Sequence, residues 1–443
     1  MAFWEVLYKG RKCENNKGMS NKEMRTIMIN SKNNIKILDI FLFISGGISF
    51  LFLVGNAMNG GKFFDELVMD STFLFSDFFY HIAGSSNTAI MYSYGDPYSF
   101  PPFCYLMYTV LWSLNPYKDS ESILYWKNYR DYDNMLVVFV MYNIICIILF
   151  LYCLKQYFKK SGFKYDVLLP MVLVISYPFM CTSIQRGNVC LLVAILFSIA
   201  WLWKDEESVW KQEIALILFA CCAGFKLYPA IFGLVYVKRK HWKKAGRLIV
   251  YGIITVFAPF LIIGGPEGAK NLLKTLTGFA TYIDPGRTNT VCGMGKWLGL
   301  KLNMTEVMAE NLGVGINYIF FLGMILMFFF AKKKWHEALF LTAILVHFIP
   351  SNYEYTSSYY LLVLLLFLKE NEGRIADKCL REKVYLICHS ILFALLFSAD
   401  FLMIYYRYGL ISGMFTVMYV MIAINIVCVL KNEICNYVCR DKW

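Results

Sequence analysis

Residues 135–160 read MLVVFVMYNIICIILFLYCLKQYFKK. The first twenty of these positions carry no charged side chain, and Lys155, Lys159 and Lys160 follow at once. A run of about 20 apolar residues is the length an α-helix needs to cross the hydrocarbon of a bilayer. Inside lipid every backbone N–H and C=O has to be satisfied within the segment, so in an open chain such a run is helical. Lys and Arg gathered just beyond the run mark its cytoplasmic end. Outward from this stretch, further runs occupy 37–57, 167–183, 188–203, 246–264, 314–331, 384–405 and 409–430, with shorter ones at 213–225, 227–237, 336–349 and 358–368. The chain reads as an all-α, polytopic membrane protein of about 12 transmembrane helices, within limits of 11 and 13. The two short runs around Lys226-Leu227-Tyr228-Pro229 read as one broken pair, a form tolerated in a membrane only where it lines a protein-enclosed cavity.

Composition agrees. Of 443 residues, 58% are hydrophobic and 17% charged, against about 45–50% and about 25% in soluble domains. The formal charge of +12 would suit nucleic acid if it formed one patch. It is instead split into short clusters between apolar runs, which is the positive-inside pattern, and no nucleic-acid partner is expected. Residues 1–36 carry eight Lys and Arg, 155–166 carry four, 238–247 carry six, and 332–334 are three consecutive Lys. Segment 59–134 carries four basic residues against nine acidic ones and is expected outside. Twelve crossings place every basic cluster inside, provided that residues 101–114 lie along the outer surface.

The expected organisation is a basic cytoplasmic tail over 1–36 and a single membrane-embedded domain over 37–430. Outer loops span 59–134 and 265–313, and a cytoplasmic tail spans 431–443. The N-terminus lacks a cleavable signal pattern. The fourteen Cys form no CxxC pair, which removes the usual zinc and redox spacings; no metal is expected. Cys104 and Cys292 both fall in outer segments, where a disulfide between them is allowed.

A long outer loop directly after the first helix is where chemistry is expected. It contains Phe75-Ser76-Asp77-Phe78-Phe79-Tyr80-His81 and Tyr92-Ser93-Tyr94-Gly95-Asp96-Pro97-Tyr98-Ser99-Phe100-Pro101-Pro102. Asp77 is flanked by aromatics that would shield a carboxylate, and such a group can act as general base on a hydroxyl. Tyr80 is its aromatic neighbour toward a substrate. Gln185-Arg186-Gly187-Asn188 lies at the outer junction of two spans, where an Arg is costly and suited to binding phosphate. Lys226 lies in the break of the helix pair and reads as a phosphate contact or half of an ion pair. His347 ends a span at the same face, just before Asn352, Tyr353, Glu354 and Tyr355. In the second outer loop, Arg287 and the Lys296-Trp297 pair suit a sugar phosphate. No GxGxxG, Walker A, HExxH or GxSxG pattern occurs, so neither nucleotide nor cofactor is indicated.

Taken in order, these features resemble glycosyltransferase family 87, membrane transferases of the polyprenyl-phosphate-mannose-dependent type with a GT-C fold. The resemblance runs from about residue 37 to 370. It rests on the outer-loop Asp, the Tyr98–Pro102 stretch, Gly187-Asn188 at a helix start, and Ala223-Gly224-Phe225-Lys226-Leu227-Tyr228-Pro229 followed by Lys238-Arg239-Lys240-His241-Trp242. Where the family commonly has Gly-Gln-x-Asn, this chain has Arg186-Gly187-Asn188, and the departure implies an added donor-phosphate contact. The resemblance implies a hexose, mannose-like, carried on a polyprenyl phosphate. It also implies a lipid or glycan acceptor and inverting displacement, with Asp77 as base on the outer face of the plasma membrane. Arg186, Asn188, Lys226, Arg287, His347 and Tyr80 would bind substrate. Two rival classes share the many-span pattern. A lipid-linked oligosaccharide polymerase or ligase would pair Arg residues in two late outer loops, and Arg287 and Arg407 fit that poorly. A secondary transporter or flippase would show internal repeats, and none is visible.

Overall fold

The computed structural model describes residues 35–61, 74–85, 91–92, 100–114, 133–160, 162–281, 283, 290–350, 352–373, 375–398 and 413–440. Arg287, Asp70, Asp96, and most of the N-terminal tail lie outside them. Every regular element among these residues is helical. In chain order they are α1 (Ile37–Met58), α2 (Ser76–Ser85), α3 (Pro102–Ser113), α4 (Asp133–Tyr157), α5 (Leu169–Val174), α6 (Tyr177–Met180), α7 (Cys190–Trp203), α8 (Val209–Phe225) and α9 (Leu234–Lys238). Then follow α10 (Trp242–Phe257), α11 (Gly265–Thr281), α12 (Val291–Lys301), α13 (Glu306–Phe330), α14 (Lys334–His347), α15 (Tyr360–Glu370), α16 (Leu380–Leu396) and α17 (Gly413–Arg440).

Among the described residues, five helices are long and apolar enough to cross a membrane, or six if the bent pair Lys164–Val174 and Tyr177–Ser183 is one span. The other apolar runs form shorter helices. Of these, α7, α14 and α15 are buried along nearly their whole length. A helix buried on all sides carries apolar residues all round, which is why these stretches read as spans although they hold only 11–14 residues. The described residues of segment 265–313 are largely helical. There α12 packs against the start of α13 through small residues: a Cβ on Gly295 would stand 2.7 Å from the Gly313 Cα, and one on Gly299 would stand 2.8 Å from the Ala309 Cα. Cys104 and Cys292 are separate, buried free thiols.

The bend of the α5–α6 pair is 58° and falls before Pro178. The second break is at Lys226. There α8 ends, Lys226 takes an extended conformation (φ −148°, ψ 131°), and a 3₁₀ turn over Tyr228–Gly233 begins with Pro229 in its first turn. Pro229 has no N–H to extend the α8 ladder, and is tolerated in a first turn where none is needed.

Two charged clusters occupy opposite ends of the same helices. At one end, Asp205 accepts from Lys204 at 2.7 Å, from Lys334 at 3.1 Å and from Arg239, while Glu337 pairs with Lys238 at 2.8 Å and Arg239 at 3.3 Å. Burial alone would raise the Asp205 carboxyl, but Lys204 and Arg239 outweigh it and hold it below the usual carboxylate range. Glu370 caps the start of α14 by accepting from Trp335 N at 3.1 Å, and Glu372 pairs with Lys160. The basic stretches around 160, 238 and 334 thus share one end. The other ends of α7, α8, α14 and α15 lie at Asn188, Lys226, His347 and Tyr359.

Candidate active site

Asp77 opens α2 directly after a strained turn. Phe75 has φ 58°, the left-handed region that a bulky residue rarely enters. Its ring is held against Phe139 at 4.3 Å. Phe78 and Phe79, wholly buried, pack on Phe139, with Phe78 also against Tyr108 and Tyr142. The aromatic run expected to shield Asp77 therefore anchors its helix. The carboxylate, 22% exposed, is met by other segments.

Those segments come from 182–190. Asn188 Nδ2 donates to Asp77 Oδ2 at 2.6 Å, and Asn188 Oδ1 accepts from Cys190 N at 3.0 Å. Arg186 lies 3.8 Å from Asp77 Oδ1, and Ser76 Oγ, 3.4 Å from both Arg186 and Asp77, sits between them. Gly187 has φ 62°, and a Cβ there would stand 2.7 Å from the Phe78 Cβ. Only glycine allows this turn to lie flat on α2.

A third segment, 353–359, closes the far side. The Arg186 guanidinium lies 5.2 Å from the Tyr353 ring centroid, and Tyr353 stacks on Tyr355 with centroids 5.6 Å apart and planes 28° apart. Lys226 Nζ stands 4.9 Å from the Tyr355 centroid. Two cations thus flank one tyrosine pair. Thr182 Oγ1 donates to the Tyr355 carbonyl at 3.0 Å and ties this segment to the Arg186 turn. Burial, and after it the Asp77 carboxylate, pushes the Tyr355 phenol well above its ordinary range.

Lys226 is 4% exposed. Besides Tyr355, its ammonium faces Phe100 at 4.8 Å and Tyr228 at 5.5 Å. Among the described residues no carboxylate pairs with it. Ring faces attract a cation but do not replace its hydrogen bonds, so the ammonium retains donors for an incoming anion. Next to it lies His81, one helical turn from Asp77 on α2, held by Tyr105 Oη at 3.1 Å from Nδ1. Burial, and then Lys226, lowers the His81 imidazole to about 3.

The structure therefore brings together Asp77, Arg186 and Asn188, and connects them to Lys226 through the tyrosine pair. Tyr80 follows Asp77 on α2, partly buried, with its ring edge-on to His81 at 5.4 Å. His347 does not join the group. It is wholly buried at the end of α14, 3.2 Å from Tyr360 Oη, with Tyr419 against its ring at 4.5 Å. Lys296 is engaged by Glu306, Glu310 and the Ile283 carbonyl within segment 265–313. Arg287 lies outside the described residues. Tyr353, Tyr355, Ser76 and His81 were not singled out from sequence. In so aromatic a chain, Tyr353 and Tyr355 carry no signal that separates them from interfacial tyrosines. Among the described residues, no group of His, Cys, Asp and Glu is placed to hold a metal ion.

The turn at Arg186–Asn188 and the break at Lys226 are the two features around which this arrangement is built, and both fall inside one matched segment. Residues 98–295 match glycosyltransferase family 87. This places the chain's activity in the glycosyltransferase class. Family 87 is the family that the motif order resembled. No curated protein and no solved structure matches the chain. Asp77 precedes the matched segment and the Tyr353–Tyr355 pair follows it, so the geometry joins to the family 87 region two elements from outside it.

Proposed function

We propose that this chain, which matches family 87 over residues 98–295, transfers a hexose from a polyprenyl-phosphate sugar to a lipid or glycan hydroxyl at the outer face of the membrane. In this reading the end bearing Asp77 is outside and the Asp205–Arg239–Glu337 network is cytoplasmic, as the basic clusters require. The short buried helices complete a GT-C-like bundle of about 12 crossings, with the longer ones around them.

The reaction follows from the placement of charge. The acceptor oxygen forms the bond to the anomeric carbon, its proton passes to Asp77, and the bond from that carbon to the phosphate oxygen breaks with its electron pair on the leaving phosphate. Attack opposite the leaving group inverts the centre. The phosphate gains charge as it leaves, and fixed cations aimed at developing charge are the largest single source of stabilisation in such steps. Lys226, and Arg186 once drawn from Asp77, are those cations.

The observation that carries the reading is the buried Lys226 ammonium, unpaired by carboxylate among the described residues, on the far side of a tyrosine pair from a held carboxylate. The lipid part is supported by a cavity of about 500 Å³ beside the break, lined by apolar residues including Ala223, Leu227, Gly233, Leu248, Gly252 and Val256. Its walls belong to α8, the 3₁₀ turn, α9 and α10, and α10 has a largely unburied, apolar surface.

The test is Asp77→Asn, which keeps size and hydrogen-bonding capacity but not basicity. Transfer of label from radiolabelled polyprenyl-phosphate mannose to membrane lipid should fall about 10²–10⁴-fold, the range of a positioned general base. Donor binding and protein yield should hold. Wild-type transfer by Asp77→Asn rules out Asp77 as the base.

A further inference from the structure

The expectation for Asn188 was contact with substrate. The geometry points to another role: we infer that Asn188 is the positioning residue of the base. It fixes the Asp77 carboxylate rather than touching donor or acceptor, an assignment that rests on Asp77 being the base.

Asn188 is 2% exposed, and both ends of its amide are engaged. Its Oδ1 receives the N–H of Cys190, one of the donors left open at the start of α7. Because that partner can only donate, the amide orientation is determined, and Nδ2 must face Asp77 Oδ2 at 2.6 Å. One side chain therefore couples the start of a largely buried helix to a carboxylate on a separate segment.

The backbone that carries Asn188 is equally constrained. Gly187 N donates to the Ser183 carbonyl at 2.9 Å and Asn188 N to the Thr182 carbonyl at 2.8 Å. The Gly187 Cα lies flat on Phe78, the residue after Asp77. Turn and base are thus held in register from both sides. With Oδ2 committed to Asn188, Oδ1 remains as the proton-accepting oxygen. Its other neighbours are Ser76 at 3.4 Å and Arg186 at 3.8 Å, both loose contacts. A base defined this way presents one oxygen in one direction, which is what in-line attack on the anomeric carbon requires.

Asn188 also caps α7, so the experiment has to separate capping from positioning. Asn188→Ser keeps an oxygen able to accept from Cys190 N but cannot reach Asp77. The full-length chain in detergent is assayed with radiolabelled polyprenyl-phosphate mannose and the total lipid extract of the host membrane. For Asn188→Ser, kcat should fall about 10²-fold, the cost of a misplaced reacting group. Donor KM should stay within about twofold and the thermal midpoint near wild type. Wild-type kcat in Asn188→Ser reduces Asn188 to a helix cap and overturns the inference.

If that variant does not fold, Asn188→Asp decides, since it keeps volume and cap but replaces the donor with a carboxylate. Inactivity in the folded protein supports positioning, and full activity refutes it. The exchange Asp77→Asn with Asn188→Asp restores an amide–carboxylate bond in reverse. It should recover thermal stability relative to Asn188→Asp without recovering transfer. An active Asp77→Asn single variant is the distinct result that removes the base reading itself, whereas an inactive one beside a fully active Asn188→Ser removes only the inference about Asn188.

Discussion

Replacing Lys226 by Met separates a ligand-binding lysine from a structural one, because the two roles predict opposite signs for stability. The side chain is 4% exposed and surrounded by Phe100, Tyr228 and Tyr355 at 4.8–5.5 Å. Each ring stabilises the cation by about 0.5–2 kcal/mol, depending on how far it is desolvated. Against this stands a cost of several kcal/mol for burying an ammonium that no carboxylate pairs among the described residues. Met fills a similar volume with a flexible apolar chain and suits an aromatic lining. The substitution should therefore leave the thermal midpoint unchanged or raise it.

Its effect on catalysis is opposite. A hydrogen bond from an ammonium to a phosphate contributes about 1.5–3 kcal/mol, which is about 10–150-fold in kcat/KM at ~1.4 kcal/mol per decade. The assay is initial-rate transfer from radiolabelled polyprenyl-phosphate mannose, run beside thermal unfolding in the same detergent. Lost transfer with retained or raised stability is the expected pair of results. Unchanged transfer and donor KM, or a midpoint that falls in step with activity, would refute the reasoning and leave Lys226 as a packing residue.

Two further outcomes follow from neighbouring geometry. Gly187→Ala places a Cβ 2.7 Å from the Phe78 Cβ at a φ of 62°; left-handed strain and overpacking together should cost about 2–5 kcal/mol in thermal unfolding and carry transfer down with them, and a wild-type midpoint would contradict the close packing of this turn on α2. His81, lowered to about 3 by burial and Lys226, takes up a proton in the unfolded chain before the folded one. Its contribution is therefore complete above the unfolded value of about 6.5 and is lost as pH falls from there toward 3. His81→Asn should flatten that part of the pH–stability curve, and an unchanged slope between pH 6.5 and 4 would show that His81 is not the group responsible.

Much of the scaffold was legible because the lipid constraint acts on single segments. Apolar length, the Lys and Arg that close each run, and the lack of an N–H at Pro229 are local properties. They point to helices, to a common end for the clusters near 160, 238 and 334, and to the break at Lys226. The number of long helices was less legible. Residues 190–203, 336–347 and 360–368 are apolar because other helices cover them, and apolarity alone does not distinguish protein from lipid as the cover. The site was legible only where one residue is anomalous by itself. Asp77, Arg186 and Lys226 are charges in apolar surroundings, and cost marks them. Tyr353 and Tyr355 acquire their place from a contact across more than a hundred residues of chain. Phe78 and Phe79 illustrate the same limit: the run beside Asp77 was visible, but whether it faced the carboxylate or the core depended on Phe139 and Tyr142 of α4.

The two charged clusters, read together, bear on which residues act and which only hold. At the Asp205 end each of Lys204, Lys238, Arg239 and Lys334 has a carboxylate partner. Lys204, 1% exposed at its side chain, has Asp205 at 2.7 Å, and Arg239 and Lys238 share Glu337. Such pairing offsets part of the desolvation of each charge. At the other end the balance is withheld. Asp77 is held by a neutral amide at 2.6 Å and only loosely by Arg186 at 3.8 Å, while Lys226 is left with ring faces. Among the described residues, the cations at one end of these helices have carboxylate partners and Lys226 at the other end has none. In the proposed reaction, a sugar phosphate entering between Arg186 and Lys226 would supply negative charge there and draw Arg186 from Asp77 as the carboxylate is required as a base.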